Sequence, residues 1–117
     1  MKARKINVAR AVSRVSKYRN RVTNLDGIRF ASEAEARRYS YLKIRLRIGE
    51  ISDLELQPKF PIAVNDKRIC NYIADFRYKE NATGKVVVED VKGVKTPLYK
   101  LKKKLVEALY GVSIIEK

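Results

Sequence analysis

Residues Val86 to Gly93 read VVVEDVKG, three valines running directly into two carboxylates and a lysine. Alternate residues of a strand share a face, so Val86, Val88, Asp90 and Lys92 point one way and Val87, Glu89 and Val91 the other. Valines on both sides predict a strand over Lys85–Lys92 that is buried on both faces, the centre of a sheet. The charges then stand at the end of a rigid, central element.

Working outward, Thr96 is placed to cap a helix with Pro97 at its first position. That helix is predicted to run to Tyr110, where Gly111 stops it, and Val112–Glu116 reads as a last short strand. A strand reached through a crossover helix is expected to lie parallel to the one before it. Upstream, the turn Asn81–Gly84 precedes the central strand. Leu54–Val64 and Arg68–Tyr78 read as two strands of a hairpin joined at Asn65-Asp66-Lys67. Pro58 and Pro61 make the first of these an edge strand or a bent one. Ser32 begins a helix through Ile48, ended by Gly49. Asp26-Gly27 predicts a small hairpin of Arg21–Asn24 and Ile28–Phe30. The sequence thus predicts an α/β domain around a single mixed sheet over residues 23–117, its core ordered helix, three strands, helix, strand. Residues 1–22, with eight basic residues and no acid, read either as a short amphipathic helix or as a basic arm.

Composition limits the chemistry. The chain has 117 residues, 45% of them apolar, enough for one core. Its formal charge of +14, from 27 basic and 13 acidic residues, predicts a polyanionic partner, with nucleic acid the default. No apolar run reaches membrane-spanning length, and basic residues interrupt MKARKINVARAVSRV where a leader would be apolar, so a soluble, cytoplasmic protein is expected. Cys70 is the only cysteine and histidine is absent. A histidine general base, a Ser/His or Cys/His hydrolase and a Cys/His zinc site are therefore excluded. Any hydrolysis must use carboxylates, lysine and a metal.

Asp90 and Lys92 alone make an ordinary ion pair at a strand end. Asp75 adds to them. In NYIADFRY the alternation puts Tyr72, Ala74, Phe76 and Tyr78 on an apolar face and Asp75 on the other, beside Ile73 and Arg77. An aspartate there is either a charge that discourages edge pairing or the partner of Asp90 across the sheet, with a cation between two carboxylates that would otherwise repel. Oxygen ligands of this kind suit Mg²⁺ or Mn²⁺. On the first helix, Ser32-Glu33-Ala34-Glu35 fits a capping box. At about 100° per residue Glu35 also falls within roughly 40° of Tyr39, Leu42 and Leu46, the stripe expected to pack inward, while Glu33 points away.

A helix-borne Glu, then Asp on a second strand, then (D/E)-x-K on a third resembles the PD-(D/E)XK nuclease superfamily, from Phe30 to the C-terminus. DGIRFASEAEARRY, GEISDLELQPKF, YIADFRY and VVVEDVKGVKT are together similar to a family of small phage and prophage proteins assigned to that superfamily. The resemblance implies a restriction-endonuclease-like core and metal-dependent hydrolysis of DNA. It makes Asp75, Asp90, the Val91 carbonyl and Glu35 the metal ligands and brings Lys92 to the attacking water or the scissile phosphate. Gln57 matches a position near the site, although it also reads as an ordinary edge-strand glutamine. Two departures stand out: A-D replaces P-D at the second-strand motif, and Asp90 stands where many members carry Glu. The superfamily includes Holliday-junction resolvases, so the resemblance further implies a homodimer acting on branched or double-stranded DNA in a bacterial host. The alternative is a non-catalytic basic nucleic-acid-binding protein.

KGVKTPLYKLKKKLVEALYG sets Leu98, Leu101, Leu105 and Leu109 on one helical face and Lys100, Lys103 and Lys104 mostly on another. With Lys95, these lysines are candidate phosphate contacts. Tyr99 either stacks on a base or packs. Arg37, Arg38, Arg45 and Arg47 add sequence-independent affinity. Nothing resembles a base-reading element, so recognition of DNA shape, ends or branches is expected.

Overall fold

Turn chemistry sets the first strands. Asp26 and Gly27 are both left-handed, at φ 53° and 72°, the pairing a tight two-residue hairpin requires. They join β1 (Thr23–Leu25) to β2 (Ile28–Phe30) in an antiparallel ribbon. The computed structural model describes residues 21–117, so the arm or helix expected over residues 1–22 lies, apart from Arg21 and Val22, outside the described residues. Helix α1 (Glu33–Arg47) follows, its first turn closed by the Glu35 N–H donating to Ser32 Oγ at 3.1 Å. Glu35, Ala36, Tyr39 and Leu42 form its buried stripe, and Glu33 is exposed, as the helical spacing predicts. Leu46, expected on that stripe, is exposed instead because burial ends before the helix's last turn.

The chain divides into two compact units, Met1–Lys43 and Ile44–Lys117. In the second, β3 (Ile51–Leu56), β6 (Phe76–Glu80), β7 (Val86–Asp90) and β8 (Ile114–Glu116) form a four-stranded sheet in the order β3-β6-β7-β8. The first three are antiparallel, and β8 lies parallel to β7 after the crossover helix α2 (Pro97–Tyr110). The α/β class and mixed sheet are those the sequence predicts. A separate ribbon pairs β4 (Lys59–Val64) with β5 (Lys67–Ile73) across Asn65 and Asp66, both left-handed.

Each strand of the expected long hairpin is broken in two, and the breaks face each other. Leu54–Val64 divides at Gln57-Pro58: Gln57 has φ 53°, and Pro58 has no N–H to give to a ladder. Arg68–Tyr78 divides at Ala74-Asp75. The backbone still bridges the gap, with the Gln57 N–H donating to the Asp75 carbonyl at 2.9 Å and the Ala74 N–H to the Pro58 carbonyl at 3.1 Å. The hairpin is therefore bent at one level, with β4 and β5 beyond the bend and β3 and β6 before it.

Sequence alternation fails at the same level. The Asp75 N–H donates to the Glu89 carbonyl at 3.1 Å while Phe76 is the register partner of Glu89, so two residues face one, as in a β-bulge. Tyr72 and Ala74 consequently pack in the cluster containing Val88, together with Phe60, Ile62, Tyr99, Val106 and Ile114. Phe76 and Tyr78 instead share the Glu89 side of the sheet. The single apolar face expected for these four residues is thus two faces, exchanged at Asp75.

Strand β7 is central, but its burial runs opposite to expectation. Val86 is exposed and Val87 intermediate, whereas Val88, Glu89 and Asp90 are fully buried. The covered end is the acidic one. Helix α2 has the predicted ends: Thr96 Oγ1 accepts the Tyr99 N–H at 3.1 Å, and Gly111 is left-handed at φ 66°. It buries Tyr99 and Val106 and leaves Leu98, Leu101 and Leu109 exposed. The inward side is shared with lysines, because Lys102 Nζ reaches the Asn71 carbonyl at 3.1 Å and Lys103 reaches Glu116. Among the described residues no helix is long and apolar enough to cross a membrane.

Candidate active site

Asp90 is the last residue of β7, flanked by β6 and β8, and its carboxylate is 0% exposed. Among the described residues, neither oxygen has a hydrogen-bond partner. The cation nearest in sequence is Lys92, whose Nζ lies 3.7 Å from Oδ1, beyond hydrogen-bonding range. Burial pushes the Asp90 carboxyl up to about 6, against the pull of Lys92 and with a further push from Glu116. A fully desolvated carboxylate with two unsatisfied oxygens is costly, and such groups in proteins are ordinarily paired, protonated or bound to a cation.

The bulge delivers Asp75 to the same end of the sheet. Its Oδ2 accepts the Val91 N–H at 2.7 Å. Asp75, in the break before β6, is thereby fixed at the residue that follows Asp90 in the chain. Gln57 is at this level through its backbone bond to Asp75. On the other side, the Lys117 N–H donates to the Asp90 carbonyl at 2.9 Å, clamping β8 against the end of β7. Lys92 spans from Asp90 to the face of Tyr99, with Nζ 4.8 Å from the ring centroid.

A second carboxylate adjoins Asp90 that the sequence reading did not single out. Glu116 is the parallel register partner of Asp90. Its Oε2 accepts the Tyr99 hydroxyl at 2.8 Å and lies 3.4 Å from Lys103 Nζ, while Lys95 Nζ is 3.0 Å from Oε1. The Tyr99 hydroxyl and the lysines hold the Glu116 carboxyl down to about 2. Burial and the same bond to Glu116 raise the Tyr99 phenol well above its ordinary range. Of the expected phosphate contacts, Lys95, Lys103 and Tyr99 therefore converge here, whereas Lys100 and Lys104 are exposed on α2. The signal for Glu116 was present in the crossover: a strand parallel to β7 brings its own residues alongside Asp90.

Glu89 was also passed over. It is fully buried on the face opposite Asp90, where it accepts the Tyr78 hydroxyl. Glu35 and Arg38 belong to the first unit. Glu35 is 8% exposed in the first turn of α1, and the Arg38 guanidinium stands 4.7 Å from the Tyr41 ring centroid. Among the described residues, no three His, Cys, Asp or Glu side chains are arranged to hold a metal. Asp75 and Asp90 both adjoin Val91, the first by a hydrogen bond and the second in the chain.

A family model matches residues 15–113 and so takes in α1, the bent hairpin, β7 and α2. The chain belongs to DUF1064. That family is described as a protein of unknown function. Among curated proteins and solved structures, none matches the chain. The bulge at Asp75 and the buried end of β7 both lie within the DUF1064 match, as does every lysine of the Asp90–Glu116 cluster.

Proposed function

We propose that this DUF1064 protein is a metal-dependent endodeoxyribonuclease with a restriction-endonuclease-like core. One observation carries the reading: the Asp90 carboxylate, wholly buried and, among the described residues, without a hydrogen bond, at the sheet end where Asp75 and Lys92 also sit. Asp75, Asp90 and the Val91 carbonyl would hold the ion, Mg²⁺ or Mn²⁺ by the hardness of the donors. When bound, such an ion lowers the pKa of a water and polarises a phosphoryl oxygen.

The chain's own groups do the rest. Asp75 and Asp90 supply negative charge at positions fixed by backbone bonds on both sides, so little reorganisation is needed when a cation arrives. Lys92 brings an ammonium group beside the carboxylate, where it neutralises charge that grows on the phosphate during hydrolysis. The Tyr99 ring stands beside this ammonium group, its centroid 4.8 Å from Lys92 Nζ. Basic residues without a base-reading element favour contact with the DNA backbone and selection by shape, so double-stranded or branched DNA is the substrate class. A homodimer would cut such branches symmetrically. A phage or prophage protein acting in the bacterial cytoplasm fits this role.

A second reading is non-catalytic DNA binding, favoured by the absence of a third acidic side chain at Val91 among the described residues. Incubation with four-way-junction, flap and linear DNA in Mg²⁺ or EDTA separates the two. A nuclease produces strand scission that needs the metal and is lost in Asp90→Asn, with DNA binding kept. Equal, metal-independent DNA integrity for both proteins leaves the binding module.

A further inference from the structure

Glu116 does not serve the proposed hydrolysis directly, yet it is the most heavily coordinated side chain beside Asp90. Its two oxygens face three donors from separate places: the Tyr99 hydroxyl at 2.8 Å, Lys103 Nζ at 3.4 Å and Lys95 Nζ at 3.0 Å. Tyr99 and Lys103 project from α2, and Lys95 from the segment before it. Two ammonium groups and a phenol closing on one oxyanion make the donor set of a phosphate site. The carboxylate is part of the protein and carries one charge, where a phosphodiester would carry one as well. The cluster is reachable, with side-chain exposures of 25% for Glu116, 26% for Lys103 and 47% for Lys95. Lysine stems are flexible enough to turn from one oxyanion to another without moving the backbone.

We propose that Lys95, Lys103 and the Tyr99 hydroxyl form a subsite for a DNA backbone phosphate next to the one at Asp90, and that Glu116 occupies this subsite in the free protein. The inference rests on the DNA-directed reading above and adds to it a regulated contact. Glu116 is a positioning residue: it gathers the donors in register with Asp90 and at the same time keeps their charge from acting on polyanions in general. The parallel pairing of Asp90 with Glu116 places the two carboxylates at matching positions on neighbouring strands, which lie about 4.8 Å apart. A phosphate that displaces Glu116 is therefore held one step along the chain from the phosphate presented to Lys92.

The test measures binding of a fluorescent duplex DNA in EDTA, where no cleavage occurs, across a range of salt concentrations. Glu116→Gln keeps the hydroxyl's acceptor and removes the competing charge. It is expected to bind more tightly than the natural protein, with the slope of log Kd against log salt steeper by about 1–2, one to two further phosphates neutralised at about 0.9 each. Adding Lys95→Gln and Lys103→Gln should cancel that gain. A purely structural role for Glu116 would change the melting temperature without steepening the slope. Unchanged or weaker binding by a folded Glu116→Gln overturns the proposal while leaving metal-dependent cleavage by the natural protein as a separate result. If Glu116→Gln does not fold, the Lys95→Gln/Lys103→Gln double variant decides: a shallower slope supports the subsite, an unchanged one overturns it. Failure of the natural protein and of every variant to bind DNA overturns both this subsite and the nuclease reading.

Discussion

Replacing Asp90 with Asn should stabilise the metal-free protein as pH rises, and the size of the effect follows from the burial of the carboxylate. Folding raises the Asp90 carboxyl from its ordinary 3.8 to about 6. The folded chain therefore holds a proton that the unfolded chain has lost between about pH 4 and 6, and stability falls as pH rises through that window. At about 1.4 kcal/mol per unit, the full loss approaches about 3 kcal/mol and is constant above it. Asn cannot ionise, so Asp90→Asn escapes the loss. The amide brings its own cost, about 1–3 kcal/mol for an unsatisfied buried polar group, but this is the same at every pH. Glu116, held down to about 2 from its ordinary 4.5, adds stability as pH rises between those values, but that term is common to both proteins and cancels in their difference. Urea unfolding in EDTA at pH 4, 5, 6 and 7 isolates the term. The stability of the variant minus that of the natural protein should grow by up to about 3 kcal/mol from pH 4 to pH 7. A difference that is flat, or that shrinks with rising pH, would refute the reasoning and with it the idea that this carboxylate is held at a cost for a cation.

Other perturbations address neighbouring parts of the structure. Tyr78→Phe removes the hydroxyl given to the buried Glu89 and should cost about 1.5–3 kcal/mol in urea unfolding at pH 7. Asp75→Asn can still accept the Val91 N–H, so the far-ultraviolet circular dichroism and melting midpoint should stay close to those of the natural protein while DNA cleavage in Mg²⁺ falls by at least about a hundredfold. Lys100→Gln with Lys104→Gln, both exposed on α2, should leave stability within about 0.5 kcal/mol and make the salt slope of DNA binding shallower by about 1–2. Thr96→Ala deletes the cap of α2 and should lower stability by about 1 kcal/mol in the same unfolding assay.

Much of this was legible in the sequence because local chemistry and tertiary packing agree. Asp26-Gly27 and Asn65-Asp66 announce their turns, Thr96-Pro97 and Gly111 bound α2, and the 3.6-residue period places Glu35 inside and Glu33 outside. The bend in the hairpin was half visible. Pro58 signals it on one strand, but nothing local in NYIADFRY marks Ala74-Asp75 as the matching break, because a bulge is set by the register against β7 and not by the strand's own residues. The alternation rule then misassigned Phe76 and Tyr78. Burial along VVVEDVKG departs from expectation for a related reason: hydrophobicity predicts where a strand ought to be covered, whereas coverage follows the neighbours it meets, which bury Val88 with Tyr99, Val106 and Ile114 and leave Val86 exposed. Glu116 escaped notice since a carboxylate gains its meaning from a parallel partner that only the crossover supplies.

Calorimetric titration of Mn²⁺ into the protein without DNA, at pH 7 and in parallel with Asp90→Asn, tests the acidic end of β7 most directly. The expected result is saturable binding to the natural protein and none to the folded variant. Equal binding by both, or heat in neither, would contradict a cation site built on Asp90.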